Sequence, residues 1–192
     1  MDDPYAVDRR AFLKSGATAA AATAVACGAP KSRWRALSED DARTLGPACD
    51  CIIPPDEDPG AVQAGVVSFI DRQLATRQKK ALGDWRAGLR GLDAAARRRQ
   101  GKPFVDLSVE AQTAVLADAE KGHGEKADWG DVDPAAFFRL LREHTMMGFY
   151  GDPRHGGNRN RAAWRMLGMP DPPIRGRLHE SPATAPAASR KS

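Results

Sequence analysis

Few side chains in this sequence have the types and spacing that catalysis or metal binding requires. The four histidines are His123, His144, His155 and His179, and none stands at a spacing typical of a metal site. Glu143 and His144 are adjacent, so on a regular helix they project about 100° apart and cannot face one metal ion. We therefore expect neither metal binding nor acid–base chemistry from the histidines.

The segment Cys49-Asp50-Cys51 suggests redox chemistry or metal binding. Two residues apart on a helix, the two thiols diverge, so a disulfide between them would require a break in the helix. We expect Cys49 to be a small buried residue and Cys51 to be free or bonded to another chain. An intermolecular disulfide through Cys49 or Cys51 stays open at this point.

Motifs for common cofactors do not occur in the sequence. It has no Gly-rich phosphate loop, no C-x-x-C-H haem attachment motif and no G-x-S-x-G nucleophile elbow. Gly156-Gly157-Asn158-Arg159 is not a dinucleotide fingerprint, because no strand is predicted before it. We predict that the chain has no catalytic site and no cofactor of its own. The formal charge of +4 is small, and we expect no nucleic acid partner.

The most unusual stretch, Gly148 to Arg159, places aromatic residues beside a glycine-dense loop. One interpretation is a tight connection whose glycines take positive φ, with Trp164 on the next helix covering the core. The other is a rigid loop that presents Tyr150, Arg154 and Arg159 to a protein partner, since these residue types are frequent at interface hot spots.

The first 26 residues read as an export signal. Arg9 and Arg10 are followed by Phe12-Leu13-Lys14 and a weakly apolar run from Ala17 to Ala26. This arrangement resembles a twin-arginine signal, which the translocase recognises as a motif. Because that route carries folded proteins, the signal predicts folding in the cytoplasm and a periplasmic destination.

The end of this signal allows two processing outcomes. Cleavage after Ala26 would leave Cys27 as the first residue of the mature chain. The same Cys27 follows a partial lipobox, so lipidation there is an alternative, and membrane association would then come from the lipid or from a complex. Residues 151–192 hold eight basic and three acidic residues, so the basicity lies at the C-terminal end, where a protein partner or an anionic surface would meet it.

Apolar residues recur every three or four positions through most of the chain after residue 37, and no alternating strand pattern is present. The sequence predicts an all-α, single compact bundle of about five or six helices. Residues 27–36 are expected to be a linker, 37–170 the helical domain and 171–192 a flexible Pro/Ala/Ser-rich tail. The helices are predicted over about 38–53, 62–74, 79–99, 108–119, 134–150 and 162–167, with a kink at Pro47 and a loop from Gly122 to Asp133.

Several ordered blocks of the sequence resemble the gluconate 2-dehydrogenase subunit 3 family. The blocks are Ile52-Ile53-Pro54-Pro55-Asp56, Pro59-Gly60-Ala61 with Ala64-Gly65-Val66 and Phe69-Ile70-Asp71, Gly101-Lys102-Pro103-Phe104, and Phe149-Tyr150-Gly151-Asp152-Pro153 with Gly156-Gly157-Asn158. The similarity runs from about residue 37 to residue 170. Cys49 and Cys51 are not part of the family pattern.

The resemblance implies a small, non-catalytic subunit of a periplasmic FAD-dependent sugar or sugar-acid dehydrogenase. FAD would then sit in a large partner subunit of the glucose-methanol-choline type, haem c would sit in a cytochrome c subunit, and the small subunit would assist export and assembly of the flavoprotein. The residues expected at the partner interface are Pro54, Pro55, Asp56, Tyr150, Asp152, Pro153, Arg154, Gly156, Gly157, Asn158, Arg159 and Trp164.

Two other classes of function remain open at the level of sequence. One is a free-standing periplasmic redox or metal-binding protein that uses the cysteines or the histidines. The other is a scaffold anchored to the membrane by a lipid on Cys27. Bound metal, a flavin spectrum or turnover by the purified chain alone would favour the first, and the mass of the mature N-terminus would decide the second.

Overall fold

The computed structural model describes residues 32–169 of the 192-residue chain, and within that range it consists of helices and turns without a strand. The all-α prediction is confirmed. The α-helices are α1 (Glu39–Ile52), α2 (Val66–Ala75), α3 (Leu82–Gln100), α4 (Val109–Glu120), α5 (Lys126–Trp129), α6 (Pro134–Tyr150) and α7 (Ala162–Met166). Short 3-10 turns cover Lys79–Ala81, Phe104–Asp106, Pro153–His155 and Arg159–Arg161. The expected signal 1–26 and the expected tail 171–192 lie outside the described residues.

Helix starts follow the local capping signals. Ser38 accepts a hydrogen bond from the Asp41 N–H and Asp41 accepts one from the Ser38 N–H, which forms a capping box at the start of α1. Asp133 caps α6 through the Ala135 N–H, with Pro134 in the first turn, where a proline costs no hydrogen bond. The first helix continues as one element through Pro47.

The second helix begins four residues later than its apolar pattern predicted. Gly65 has φ of +83°, which ends the preceding turn in the left-handed region before α2 starts at Val66. Val62, expected on the buried face of that helix, is instead exposed in the turn. Apolar spacing alone cannot detect this break, because only the glycine carries the signal.

A short helix, α5, lies inside the polar stretch that was expected to be a loop. It buries Trp129 against α3, where a Cβ on Gly91 would lie 2.5 Å from the Trp129 ring. Burial of this one tryptophan therefore stabilises a short helix in a segment whose composition is otherwise typical of a turn.

The long helix α6 is central to the core and packs against α1, α2, α3, α4 and α7. Its Phe137 meets Trp85 of α3 edge to face, with ring centroids 5.9 Å apart. Gly88 makes this approach possible, since a Cβ there would lie 1.9 Å from the Phe137 ring. Across the described range, no helix is both long and apolar enough to cross a membrane.

Candidate functional site

The loop after α1 is a rigid turn rather than an open connection. The Ala61 N–H donates to the Ile53 carbonyl at 3.0 Å, and the Val62 N–H donates to the Asp50 carboxylate at 2.9 Å. The backbone of Gly60 lies so close to Pro55 that a Cβ on Gly60 would be 2.6 Å from the Pro55 nitrogen. These contacts hold the exposed Pro54, Pro55 and Asp56 in a fixed place on the surface.

The loop between α6 and α7 is built around a buried asparagine. Asn158 is fully buried, its Nδ2 donates to the Gly151 carbonyl at 2.9 Å, and its Oδ1 accepts the Ala163 N–H at 3.0 Å. The Trp164 Nε1 donates to the Tyr150 carbonyl at 3.0 Å. One side-chain amide thus joins the start of the loop to the next helix.

These two loops meet, although about ninety residues of sequence separate them. The Arg159 N–H donates to the Ala64 carbonyl at 2.8 Å. A Cβ on Gly65 would lie 3.0 Å from the Gly156 carbonyl and 3.6 Å from the Arg159 guanidinium, so the backbones touch. We call residues 53–65 and 151–161 the two-loop face. It unites two of the segments that carry the family resemblance.

The second loop also holds unusual backbone conformations. Asn158, Asn160 and Arg161 have φ of +43°, +56° and +57°, in the left-handed region that favours glycine. Such conformations cost free energy and persist only where the surroundings impose them. Here the Asn158 amide and the contact with Ala64 supply that constraint, so the loop keeps one shape.

Electrostatics in this loop are dominated by one ion pair. The Asp152 carboxylate accepts the backbone N–H of Arg154 and, at 2.8 and 2.6 Å, its guanidinium. The guanidinium, followed by the backbone bond, lowers the pKa of Asp152 to about 2. Asp152 therefore stays ionised well below the pH at which carboxylates normally protonate, and it neutralises Arg154 within the loop.

The expected interface residues divide into three groups by exposure. Pro54, Pro55, Asp56, Arg154 and Arg159 are exposed, whereas Tyr150, Asp152, Pro153 and Gly156 are partly exposed. Gly157, Asn158 and Trp164 are buried in the described fold, and their contact with a partner stays a prediction. Gly157 lies directly on the end of α6, since a Cβ there would be 2.0 Å from the Gly148 carbonyl. For this group, the interpretation as a tight connection applies.

The two cysteines occupy different environments. Cys49 is fully buried, its Sγ accepts the Thr145 hydroxyl at 3.4 Å, and burial raises the pKa of its thiol to about 12. A disulfide from Cys49 to another chain would require the core to open, because its sulfur is enclosed there. Cys51 is half-buried and donates to the Gln112 Oε1 at 3.7 Å, and burial raises the pKa of its thiol as well. Both thiols are weak nucleophiles in this state.

The described histidines are dispersed. His144 lies within the core, with Nδ1 2.9 Å from the Leu140 carbonyl and Nε2 2.7 Å from the Gln78 Oε1. His123 and His155 are exposed on separate loops. Between residues 32 and 169, no group of three or more His, Cys, Asp or Glu residues is placed to hold a metal ion.

A buried aspartate, to which the sequence analysis assigned no role, anchors the start of the domain. Asp71 of α2 is 3% exposed, and its carboxylate accepts N–H groups from Arg35, Ala36 and Leu37 at 2.9 to 3.0 Å. Arg86 of α3 donates to the Ala36 carbonyl at 2.9 Å. We call this arrangement the N-terminal latch. Its sequence signals were an acidic residue between the core positions of an amphipathic helix and its place in the block Phe69-Ile70-Asp71.

The described fold is a small all-α domain with a rigid two-loop face and a latched N-terminal segment. The family model for gluconate 2-dehydrogenase subunit 3 matches residues 39–170, well over half of the chain. The chain therefore belongs to the gluconate 2-dehydrogenase subunit 3 family, as its sequence blocks indicated. The name of the family describes a subunit of a dehydrogenase complex. Neither curated proteins nor solved structures gave a match.

Proposed function

We propose that this chain is the non-catalytic small subunit of a periplasmic FAD-dependent sugar or sugar-acid dehydrogenase. It docks through the two-loop face on a large flavoprotein subunit of the glucose-methanol-choline type and escorts it through the twin-arginine route. FAD belongs to the large subunit, and haem c to a cytochrome c partner that accepts its electrons. Family membership supports the place in a dehydrogenase complex.

The observation that carries the docking proposal is the junction of the two loops at Arg159 and Ala64. Preorganised surfaces lose little conformational entropy on binding, so a rigid face suits a stable subunit contact. The face exposes prolines, an acidic turn and arginines, and arginine is enriched among residues that dominate binding energy.

Docking is tested by co-expressing the full chain with the large flavoprotein subunit from the same genome. Arg159→Glu reverses an exposed charge on the face while keeping the backbone bond to Ala64. We expect the affinity of the two subunits to fall about tenfold or more. Arg90→Glu is the matched control, since Arg90 is an exposed arginine on α3, and it should leave the affinity unchanged. Equal affinities for both variants would contradict docking through this face.

Export is tested separately through the arginine pair. Replacement of Arg9 and Arg10 by Lys should leave the assembled dehydrogenase in the cytoplasm, because the translocase recognises the arginines as a motif. The measurement is dehydrogenase activity in periplasmic and cytoplasmic fractions. Normal periplasmic activity with the lysine pair would exclude the escort role. Mass spectrometry of the mature N-terminus decides between cleavage before Cys27 and lipidation of Cys27.

A further inference from the structure

Two exposed arginines lie where the two loops meet. Arg72 belongs to α2 and Arg159 to the second loop. A Cβ on Gly156 would lie 2.9 to 3.0 Å from Cδ, Nε and Nη1 of Arg72, and a Cβ on Gly65 would lie 3.6 Å from Nε and Nη2 of Arg159. Each guanidinium group therefore lies against the backbone of a glycine, and we call Arg72 and Arg159 the arginine pair.

The two glycines are themselves in contact, which brings the arginine pair to one part of the surface. The same Cβ on Gly65 would lie 3.0 Å from the Gly156 carbonyl oxygen. These contacts, joined by the covalent bonds of Gly156, put the two Nε atoms at most about 14 Å apart. The Arg159 backbone is fixed by its bond to the Ala64 carbonyl at 2.8 Å, and the Arg72 backbone is fixed by α2.

Neither member of the arginine pair has a counter-ion in the described part of the chain. The guanidinium groups of Arg72 and Arg159 form no ion pair and no hydrogen bond there, in contrast to Arg154, which Asp152 neutralises. Like charges held near each other repel, and a guanidinium group presents paired N–H donors that match a carboxylate. An acidic partner therefore complements this place on the surface.

The remaining charges of the two loops favour a protein partner over an anionic surface. The first loop exposes Asp56, Glu57 and Asp58, in a turn where the Asp56 carboxylate accepts the Asp58 N–H at 2.8 Å. Together, Arg72 and the two loops hold four arginines and four acidic residues, so their formal charge is zero. An anionic lipid surface attracts basic clusters and repels such an acidic turn. A protein surface with charges of both signs complements the whole face.

We propose that the arginine pair binds carboxylates of the large flavoprotein subunit. The inference rests on the proposed function and extends it, because Arg72 lies on α2, outside the two loops, and because it names the chemistry of the partner surface. The family name describes a subunit of a dehydrogenase complex, which supports a different chain, rather than a second copy of this one, as the partner.

The test neutralises the arginine pair with Arg72→Gln combined with Arg159→Gln. Both residues are exposed, so the fold should stay intact. The control, Arg90→Gln combined with Arg139→Gln, removes the same charge from exposed arginines of α3 and α6. Binding of each full-length variant to the large flavoprotein subunit is measured in about 0.05 M and about 0.5 M NaCl, with thermal melting as a check on folding.

The expected result is specific to the arginine pair. In low salt, we expect the pair variant to lose affinity more than about tenfold and the control variant less than about threefold. The affinity of the pair variant should also depend less on salt than that of the unchanged chain, because salt screens the contacts that the variant has lost. Arg72→Gln alone should weaken binding about threefold or more, which tests the residue outside the two loops.

The possible outcomes separate this inference from the proposed function. Failure of the unchanged chain to bind the large subunit would overturn both. Equal affinities of the pair variant and the control, or no loss with Arg72→Gln alone, would overturn the arginine pair, while Arg159→Glu still tests docking through the two-loop face. A loss of equal size at both salt concentrations would exclude carboxylates as the ligands.

Two further measurements address other occupants. A dimer of the unchanged chain that the pair variant makes monomeric would overturn the proposal in favour of a second copy, whose acidic turn at residues 56–58 then meets the arginine pair. Binding to phosphatidylglycerol vesicles that the pair variant loses, with its affinity for the large subunit unchanged, would overturn the proposal in favour of a lipid surface.

Discussion

At the scale of single residues, the described fold depends on a few buried polar groups with complete hydrogen bonding. Asn158 joins two elements through its amide. Asp71 accepts hydrogen bonds from three consecutive backbone N–H groups just before α1. Each group would be costly to bury without these partners. Their effect is specificity, because only one arrangement of the neighbouring backbone satisfies them.

Removal of the Asp71 carboxylate should loosen the start of the domain. Asp71→Ala leaves the N–H groups of Arg35, Ala36 and Leu37 without their acceptor, and we expect the free energy of unfolding to fall by about 2–4 kcal/mol. Urea denaturation provides the measurement. Asp131→Ala, at an exposed aspartate, should change it by less than about 0.5 kcal/mol. A loss no greater than that of the control would show that the latch is not stabilising.

The Asp50 carboxyl group should make the stability of the fold depend on pH. Its contribution should be less favourable at neutral pH than at acidic pH. Burial raises its pKa, against the opposing effect of the Val62 N–H, so the ionised carboxylate is less favourable in the folded chain than in the unfolded one. Asp50→Asn keeps an acceptor for that N–H and removes the charge. We expect a higher melting temperature for Asp50→Asn at neutral pH, and this advantage should shrink as acidification protonates Asp50 in the parent chain. A difference that grew towards low pH would contradict this reasoning.

At the scale of elements, close contacts between helices depend on glycines, which have no side chain. Two glycines of α3, Gly88 and Gly91, allow Phe137 of α6 and Trp129 of α5 to lie against the helix backbone. Glycine normally weakens a helix interior, so its use here indicates that the packing of the aromatic rings offsets the lost helix propensity. The lack of a side chain also matters at Gly65, where the chain turns into α2 beside the second loop.

Two alanine substitutions in α3 should have opposite effects. Gly88→Ala places a methyl group 1.9 Å from the Phe137 ring, and the forced repacking should cost about 1–3 kcal/mol of unfolding free energy. Gly83→Ala meets nothing within 4 Å and should stabilise the helix by up to about 1 kcal/mol. Chemical denaturation of both variants is the measurement. Equal shifts in the same direction would mean that the ring contact does not control this helix pair.

At the scale of the whole molecule, the two proposed roles, export and docking, belong to different parts of the chain: the segment before the latch and the two-loop face. The latch fixes the chain at residues 35–37, where the predicted export signal and linker reach the helical domain. The two-loop face, formed by residues 53–65 and 151–161, is the proposed docking surface. Export and docking should therefore be separable by variants.

Deletion of residues 1–31 tests this separation. The core residues of the described range lie between Leu37 and Trp164, so we expect a chain that begins at Ser32 to melt within about 2 °C of the full chain. It should bind the large flavoprotein subunit with unchanged affinity, yet leave the dehydrogenase in the cytoplasm. Calorimetry, a binding titration and activity in cell fractions are the three measurements. Loss of binding in a folded truncated chain would place part of the docking surface in the first 31 residues.

The local signals of the sequence determined the helical class, most helix positions and the family. Capping at Ser38 and Asp133 and apolar spacing act over one or two turns, so they can be read from neighbouring residues. The short helix at Trp129 and the latch of Asp71 could not be read in this way, because each depends on a partner distant in the chain. Only the tertiary structure decided that Gly157, Asn158 and Trp164 are internal supports while Arg154 and Arg159 face outward, since burial is a property of the packed molecule.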